Sequence, residues 1–354
     1  MKKKRICYII NSVKRCGPVN ILVSMIKGIN LEKFDVTLIT LLNDNDKIFL
    51  DELKKMNIEI LNFNYPKKFL TMFKKGEISS KIDNMNFDVI HVHGHITAML
   101  VKSVKTKKVI TVHNKMYEDF KSSYGRILGG IITIGYIQTL KKFDRVICCS
   151  ESSFNVCKKY IKDISYVRNG MYIEKRNNKL EIRNNIRKQL NIPNDAVVYI
   201  YAGVYSKRKN VLEMLSLFQK KLEENEYLIC LGNGELFDEA KIYNSKNIIQ
   251  LGFVENVIDY MISSDIYTSF STSEGLPVSI IEALNSGLLL LLSNIDSHRE
   301  IVNIDKTMYI GEIFDDDFSE RKKIVSHSKR NDSTELQKKY LSEKSMMKLY
   351  EQFY

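Results

Sequence analysis

Ile266-Tyr267-Thr268-Ser269-Phe270-Ser271-Thr272-Ser273-Glu274-Gly275-Leu276-Pro277-Val278-Ser279-Ile280-Ile281-Glu282-Ala283-Leu284 reads as a strand, a turn and the start of a helix. Ile266 to Phe270 is a short run rich in β-branched and aromatic residues, and Ser271 to Pro277 carries turn chemistry. Pro277 suits the first helical position, where a missing N–H is no loss, and an apolar helical pattern follows it. The same alternation extends to either side, with strands expected at Val197–Tyr201, Tyr227–Leu231, Asn247–Leu251 and Leu288–Leu292 and helices between them. It recurs in the first half at Arg5–Ile10, Asp35–Leu41, Asp88–His93, Lys108–Val112 and Arg145–Cys149, with amphipathic segments such as Val19–Ile29 and Ser152–Ile161 in between. Strands that are apolar throughout and separated by helices predict parallel sheets covered on both faces. A polar stretch from Glu174 to Asn194 interrupts the alternation. The expected architecture is α/β: two Rossmann-like, doubly wound domains, residues 1–172 and 173–331, facing across a cleft. Residues 332–354 are then a terminal helix, apolar at Leu336, Tyr340, Met346, Met347, Leu349, Tyr350 and Phe353, that needs the first domain to pack against.

At 354 residues, with 44% hydrophobic and 27% charged residues and only 4 Pro, the chain is neither a disulfide-held mini-protein nor a disordered one. Its six cysteines show no C-x-x-C pair, and the reading is of reduced thiols in a cytoplasmic protein. The longest apolar run, Ile127 to Leu140, has 14 residues and falls short of the roughly 20 that cross a bilayer. The net charge of +12 is unevenly placed: residues 1–170 hold 30 Lys and Arg against 15 Asp and Glu, while the remainder is slightly acidic. A basic half suits nucleic acid, an anionic membrane surface or a phosphorylated substrate.

Glu274 and Glu282 bracket a helix N-terminus. The N–H groups of Val278 and Ser279, aided by the helix dipole, form a seat for phosphate, and carboxylates beside it accept hydrogen bonds from sugar hydroxyls. The plain alternative is an ordinary helix cap with one surface glutamate. Lys207-Arg208-Lys209 is a solvated basic turn unless a phosphate lies near, and His113, after an apolar strand, is a structural hydrogen bonder unless a substrate does. His91, His93 and His95 alternate, which superficially suggests zinc, but no acidic or cysteine ligand is close in sequence. Asp44-Asn45-Asp46 and Asp315 to Asp317 read as solvated loops.

Two glutamates with seven residues between them, the first followed by Gly-Leu-Pro and the second by Ala-Leu, resemble the signature of the family-4 retaining glycosyltransferases, which have the GT-B fold. The resemblance continues through Gly17, the strand ends Asp88 to Gly94, Thr111 to His113 and Ser150 to Ser152, and Asn169-Gly170. It covers Gly203, Gly232 to Glu235, Leu251 to Val254 and Glu300 to Val302 as well. The resemblance implies that Glu282 binds the nucleotide ribose, Glu274 the donor sugar near its 3- and 4-hydroxyls, and Lys209 the phosphates. It implies donor-binding roles for Gly17, Gly203, Gly252, Val254, Gly275, Leu276, Val278 and Ser279, and it places His113 in the active site near donor and acceptor. The family usually has an arginine directly after the phosphate-loop glycine. Here that position is Val204, and Arg208 is the expected substitute.

The function so implied is hexosyl transfer with retention, giving an α-linkage, from a nucleotide diphosphate sugar, with UDP the expected nucleotide. The expected acceptor is a glycan or a lipid-linked sugar in capsule, exopolysaccharide or other surface polysaccharide synthesis, with no cofactor and no metal. The rivals are a GT-B sugar-nucleotide epimerase and a basic nucleic-acid-binding protein. No RNA- or DNA-binding motif supports the latter, and nucleic acid is not an expected partner. The basic first half, with Pro66 to Lys75 as its most lysine-rich apolar segment, predicts peripheral docking on the inner face of the cell membrane.

Overall fold

A computed structural model of the chain describes residues 2–14, 16–43, 45–56, 58–66, 75–172, 176–303 and 335–354. Internal contacts divide it into two units, Met1–Tyr172 with Leu341–Tyr354, and Ile173–Tyr340. Two sequence expectations, the lysines of Pro66 to Lys75 and the acidic run Asp315 to Asp317, concern segments outside the described residues, apart from Pro66 itself and the backbone of Lys75.

The first unit holds strands β1 (Lys4–Ile10), β2 (Phe34–Leu42), β3 (Glu59–Tyr65), β4 (Val89–His93), β5 (Lys107–Val112), β6 (Arg145–Cys148) and β7 (Ile164–Tyr166). They form one sheet in the order β3-β2-β1-β4-β5-β6-β7, every pair parallel. Cys7 and Ile9 of β1 face one core together with Ile39, Ile90 and Ile110, while Tyr8 points to the other face. There its hydroxyl lies 3.1 Å from that of Tyr354, which in turn lies 2.6 Å from His91 Nδ1. His91 Nε2 meets Thr111 Oγ1 at 2.8 Å, and Thr111 meets the Tyr350 hydroxyl at 3.0 Å. This polar chain lies beneath the helix Glu343–Tyr350 and fastens it to the sheet.

The second unit holds β8 (Val197–Ala202), β9 (Glu226–Leu231), β10 (Ile248–Gly252), β11 (Ile266–Ser269) and β12 (Leu289–Leu292), again all parallel, in the order β10-β9-β8-β11-β12. Its core is built on Tyr199 and Tyr201 of β8, Leu228 and Cys230 of β9, and Leu215 and Phe218 of the helix Val211–Lys221. In both sheets the strand order reverses at one place, between β1 and β4 and between β8 and β11. That is where the carboxyl ends of doubly wound sheets leave a crevice.

Four expectations need correction. Pro277 is not the first helical residue: its ψ of 119° is extended, so the helix runs Val278–Asn285 with Pro277 as its cap. The polar stretch 174–194 contains the helix Lys179–Gln189, whose inner face is anchored by Arg187. The Arg187 guanidinium is fully buried and donates to Ser263 O at 2.9 Å and to Asp265 Oδ2 at 2.8 Å. The last segment is two helices, Glu335–Leu341 and Glu343–Tyr350, broken at Ser342, whose hydroxyl caps the second. The break lets the chain run against Gly170, where a Cβ would stand 2.1 Å from Ser342 O. Finally, β3 and β7 lie beyond the five strands expected in the first half.

Candidate functional site

The loops after β8 and β11 meet at the point where the second sheet reverses its order. After β8 the chain passes Gly203 and Val204, whose carbonyl accepts from the Tyr201 hydroxyl at 3.0 Å. It then makes one tight turn, Lys207–Lys209, which ends on Asn210 in the left-handed conformation (φ 52°). After β11 the chain returns alongside. The Thr272 N–H donates to Arg208 O at 2.9 Å and the Thr272 hydroxyl to the same oxygen at 3.1 Å, so the two loops are clipped together.

The clip places Glu274 between two cations. Arg208 Nη1 donates to Glu274 Oε2 at 2.9 Å and to Ser273 O at 2.6 Å. Lys209 Nζ donates to Glu274 Oε1 at 2.5 Å, and the Ser271 hydroxyl to the same oxygen at 2.7 Å. Glu274 is only 6% exposed. Burial alone would push its carboxyl up, but the charges of Lys209 and Arg208 and the hydrogen bonds from Lys209 and Ser271 outweigh it and hold the group at about 2. The carboxylate is ionised throughout the physiological range, and one guanidinium and one ammonium charge stand over it.

The helix Val278–Asn285 starts four residues later, and helical geometry leaves its first N–H groups, those of Val278 and Ser279, without intrahelical acceptors. Tyr267 of β11 braces this end, its hydroxyl 2.7 Å from Ser279 Oγ. Glu282 is half-buried on the same helix, near enough to Tyr267 for its charge to raise the phenol. Gly275 and Leu276 are buried in the connection between Glu274 and Pro277. The loop after β9 closes the floor: a Cβ on Gly232, whose φ is +121°, would lie 1.9 Å from Gly203 O. The Gly232 N–H donates to Gly252 O at 2.7 Å, which places Gly252 at the end of β10, with Val254 two residues on. Arg208, Lys209, Glu274, Ser279 and Glu282 therefore belong to one strand-end region.

His298 joins this region, although nothing in the sequence singled it out. It sits on the helix Asp296–Val302 after β12, the strand beside β11. It is fully buried, with Nδ1 2.9 Å from Ser293 O. Burial lowers it to about 4 despite the opposing influence of Glu274 and the Ser293 carbonyl, so the ring is neutral at pH 7. Its Nε2 is buried without a hydrogen-bond partner among the described residues.

Gly17 and His113 belong to the first unit. Gly17 opens the helix Gly17–Gly28 after β1. His113 follows β5, half-buried, with Nε2 2.9 Å from Nδ1 of the fully buried His93. Burial lowers His113 to about 4 and His93 well below its ordinary value. The His91 and His93 rings stack with centroids 4.7 Å apart, but both nitrogens of His91 are taken by Tyr354 and Thr111 and His95 lies edge-on to Phe120, so the three alternating histidines do not converge on one point. Among the described residues, no three His, Cys, Asp or Glu side chains are placed to hold a metal ion.

Residues 17–175 match the family model described as Glycosyltransferase Family 4, and residues 182–340 the one described as Glycosyl transferases group 1. An Escherichia coli O-antigen biosynthesis glycosyltransferase, WclY, is 25% identical over 317 residues, covering 84% of this chain and 82% of its own. An E. coli UDP-Gal:alpha-D-GlcNAc-diphosphoundecaprenol alpha-1,3-galactosyltransferase is 23% identical, covering 81% and 78%. Among solved structures, Anabaena Alr3699/HepE in complex with UDP and glucose superposes with a TM-score of 0.78 over 99% of this chain and 98% of its own, at 14% identity.

Proposed function

This chain belongs to the family-4 glycosyltransferases, with the GT-B fold and of the surface-glycan type, and from that premise we propose that it transfers a hexose from a UDP-sugar to a lipid-linked glycan acceptor with retention. The observation that carries the reading is the position of Arg208, Lys209 and Glu274 at the crevice between β8 and β11, beside the N-terminus of the helix Val278–Asn285.

The chemistry follows from the charges. The two cations and the open N–H groups of Val278 and Ser279 face a diphosphate, which departs from the sugar carrying additional negative charge. Groups aimed at that charge stabilise the transition state more than the ground state. Glu282 holds the ribose hydroxyls, and Glu274, relieved of its cations by the phosphates, accepts hydrogen bonds from the hexose hydroxyls. With Lys209 and Arg208 supplying positive charge at the leaving group, the reaction as proposed uses no metal and no cofactor. His113 sits on the acceptor side as a neutral ring. Support for a UDP donor and a lipid-linked acceptor comes from the E. coli galactosyltransferase, whose name specifies both. Such an acceptor would bring the protein to the membrane face where the lipid resides.

The test is transfer from a panel of UDP- and GDP-hexoses to a diphosphate-lipid sugar, with the anomeric configuration of the product read by NMR. An α-product from an α-donor, insensitive to EDTA, is expected. A β-product, or release of an epimerised free sugar with no transfer, refutes the proposal.

A further inference from the structure

The apolar run Ile127 to Leu140, too short to span a bilayer, forms the helix Arg126–Leu140. It follows the helix Met116–Tyr124, which starts three residues after His113, and the pair makes the crossover from β5 to β6. The inner face of Arg126–Leu140, with Thr133, Tyr136, Ile137 and Leu140, is buried. The outer face is apolar too: Ile127 is 82% exposed, Leu128 51%, Ile131 62% and Ile134 63%. Residues 127, 131 and 134 are spaced to form one stripe along the helix. Scattered apolar residues on a surface are ordinary, but an aligned row on a helix already apolar inside requires a partner. No helix among the described residues is long and apolar enough to cross a membrane, so this one lies on its partner.

We propose that the outer row of Arg126–Leu140 is a docking surface for an anionic lipid bilayer, seating the first unit beside the lipid-linked acceptor. Charge selects this occupant. The helix contains no acidic residue, Arg126 stands exposed at its start, and Lys141 and Lys142 stand exposed just past its end. Cations at both ends of a helix roughly 22 Å long, with an exposed apolar stripe of about 10 Å from Ile127 to Ile134, suit a helix lying flat, with isoleucines below the headgroups and positive charges among them. A second copy of the chain fits less well. Apposed antiparallel, the rows would bring Arg126 of one copy against Lys141 and Lys142 of the other, and apposed parallel, like against like.

The inference rests on the lipid-linked acceptor of the proposed function, so vesicle binding and catalysis are measured separately. The full chain is sedimented with vesicles of equal parts phosphatidylglycerol and phosphatidylcholine, and with phosphatidylcholine alone. The double variant Ile131→Ser with Ile134→Ser is expected to partition on the order of tenfold more weakly. The triple variant Arg126→Glu, Lys141→Glu, Lys142→Glu is expected to lose binding to phosphatidylglycerol vesicles by about fivefold or more per charge at low salt. Melting temperature and UDP affinity stay as in wild type for both, because the substituted side chains are exposed and lie outside the nucleotide-binding unit. Wild-type protein that ignores anionic vesicles, or variants that bind them equally well, overturns the docking surface. So does a wild-type dimer that the isoleucine variant converts to monomer. Vesicle binding that the variants abolish, in a protein that transfers no sugar to any acceptor, supports the surface and refutes the transferase reading instead.

Discussion

Glu274→Gln tests the electrostatic account of the site at its most exposed assumption, that one buried carboxylate balances two cations. Glutamine keeps the volume and can still accept from Ser271, so the change removes charge and little else. The depression of the Glu274 carboxyl from its ordinary 4.5 to about 2 corresponds to about 3 kcal/mol, at roughly 1.4 kcal/mol per pKa unit. Arg208 and Lys209 retain some solvent access and recover part of that on their own, which leaves an expected loss of about 2–3 kcal/mol near pH 7. A depressed carboxyl stabilises the fold above its unfolded value and ceases to do so as the pH falls through its folded value. The gap between wild type and variant should therefore be full above about pH 5 and shrink as the pH falls from 4.5 toward about 2. Urea unfolding at a series of pH values reads this directly. The same variant should bind UDP at least as tightly as wild type, because its two cations are no longer engaged by a carboxylate, while its turnover falls. A stability within about 0.5 kcal/mol of wild type at pH 7, or a gap that does not change with pH, would refute the reasoning.

Lys209→Ala should lower kcat on the order of 10²–10³-fold, the usual effect of deleting one charge stabiliser in a transition state, and a change below tenfold would move that role to Arg208. Because burial holds His113 and His298 at about 4, the rate profile should show no histidine inflection between pH 5.5 and 7.5, and an inflection near 6.5 would mean that one of them is solvated in the working enzyme. The same lowered rings, with His91 and His93, should make thermal stability fall as the pH drops below 6.5, since the unfolded chain takes up protons that the native rings refuse. Gly232→Ala should cost about 2–4 kcal/mol, because its Cβ would lie 1.9 Å from Gly203 O at a φ of +121°; unchanged urea unfolding would show that the two loops separate freely.

Much of the fold is legible in the sequence because parallel strands buried on both faces are mostly apolar, and β8 and the central residues of β1, β5 and β9 are, while β4 alternates apolar residues with the buried His91 and His93. β3 escapes that rule. As an edge strand with half-exposed residues it carries Asn62 and Asn64, and its side chains pay no penalty for polarity. β7 is three half-buried residues at the opposite edge, too short to show any period. The helix Lys179–Gln189 is hidden because its most buried side chain is an arginine, satisfied by carbonyls and Asp265 in place of apolar contact. At the site, Glu274 and Glu282 stand out in the sequence by their places around a helix start, while Lys209, Arg208 and the strand-end glycines are implied only by the resemblance to the family. That Glu274 engages both cations is not legible there, since residues 208 and 274 meet only once β8 and β11 are neighbours. His298 leaves no local signal: its place beside Glu274 comes from β12 lying next to β11.

The helix Glu343–Tyr350 brings Tyr350 and Tyr354 under β1, β4 and β5, strands made more than two hundred residues earlier. A ribosome therefore releases the first unit's sheet with one face covered only in part, by the helix Gly17–Gly28, and must make the whole of the second unit before supplying the rest of its cover. Folding of this chain finishes where it begins: the second unit can close as soon as it emerges, while the unit translated first waits for residues 341–354. During that wait Tyr8, His91 and Thr111 lack the two tyrosine hydroxyls that meet them in the finished fold.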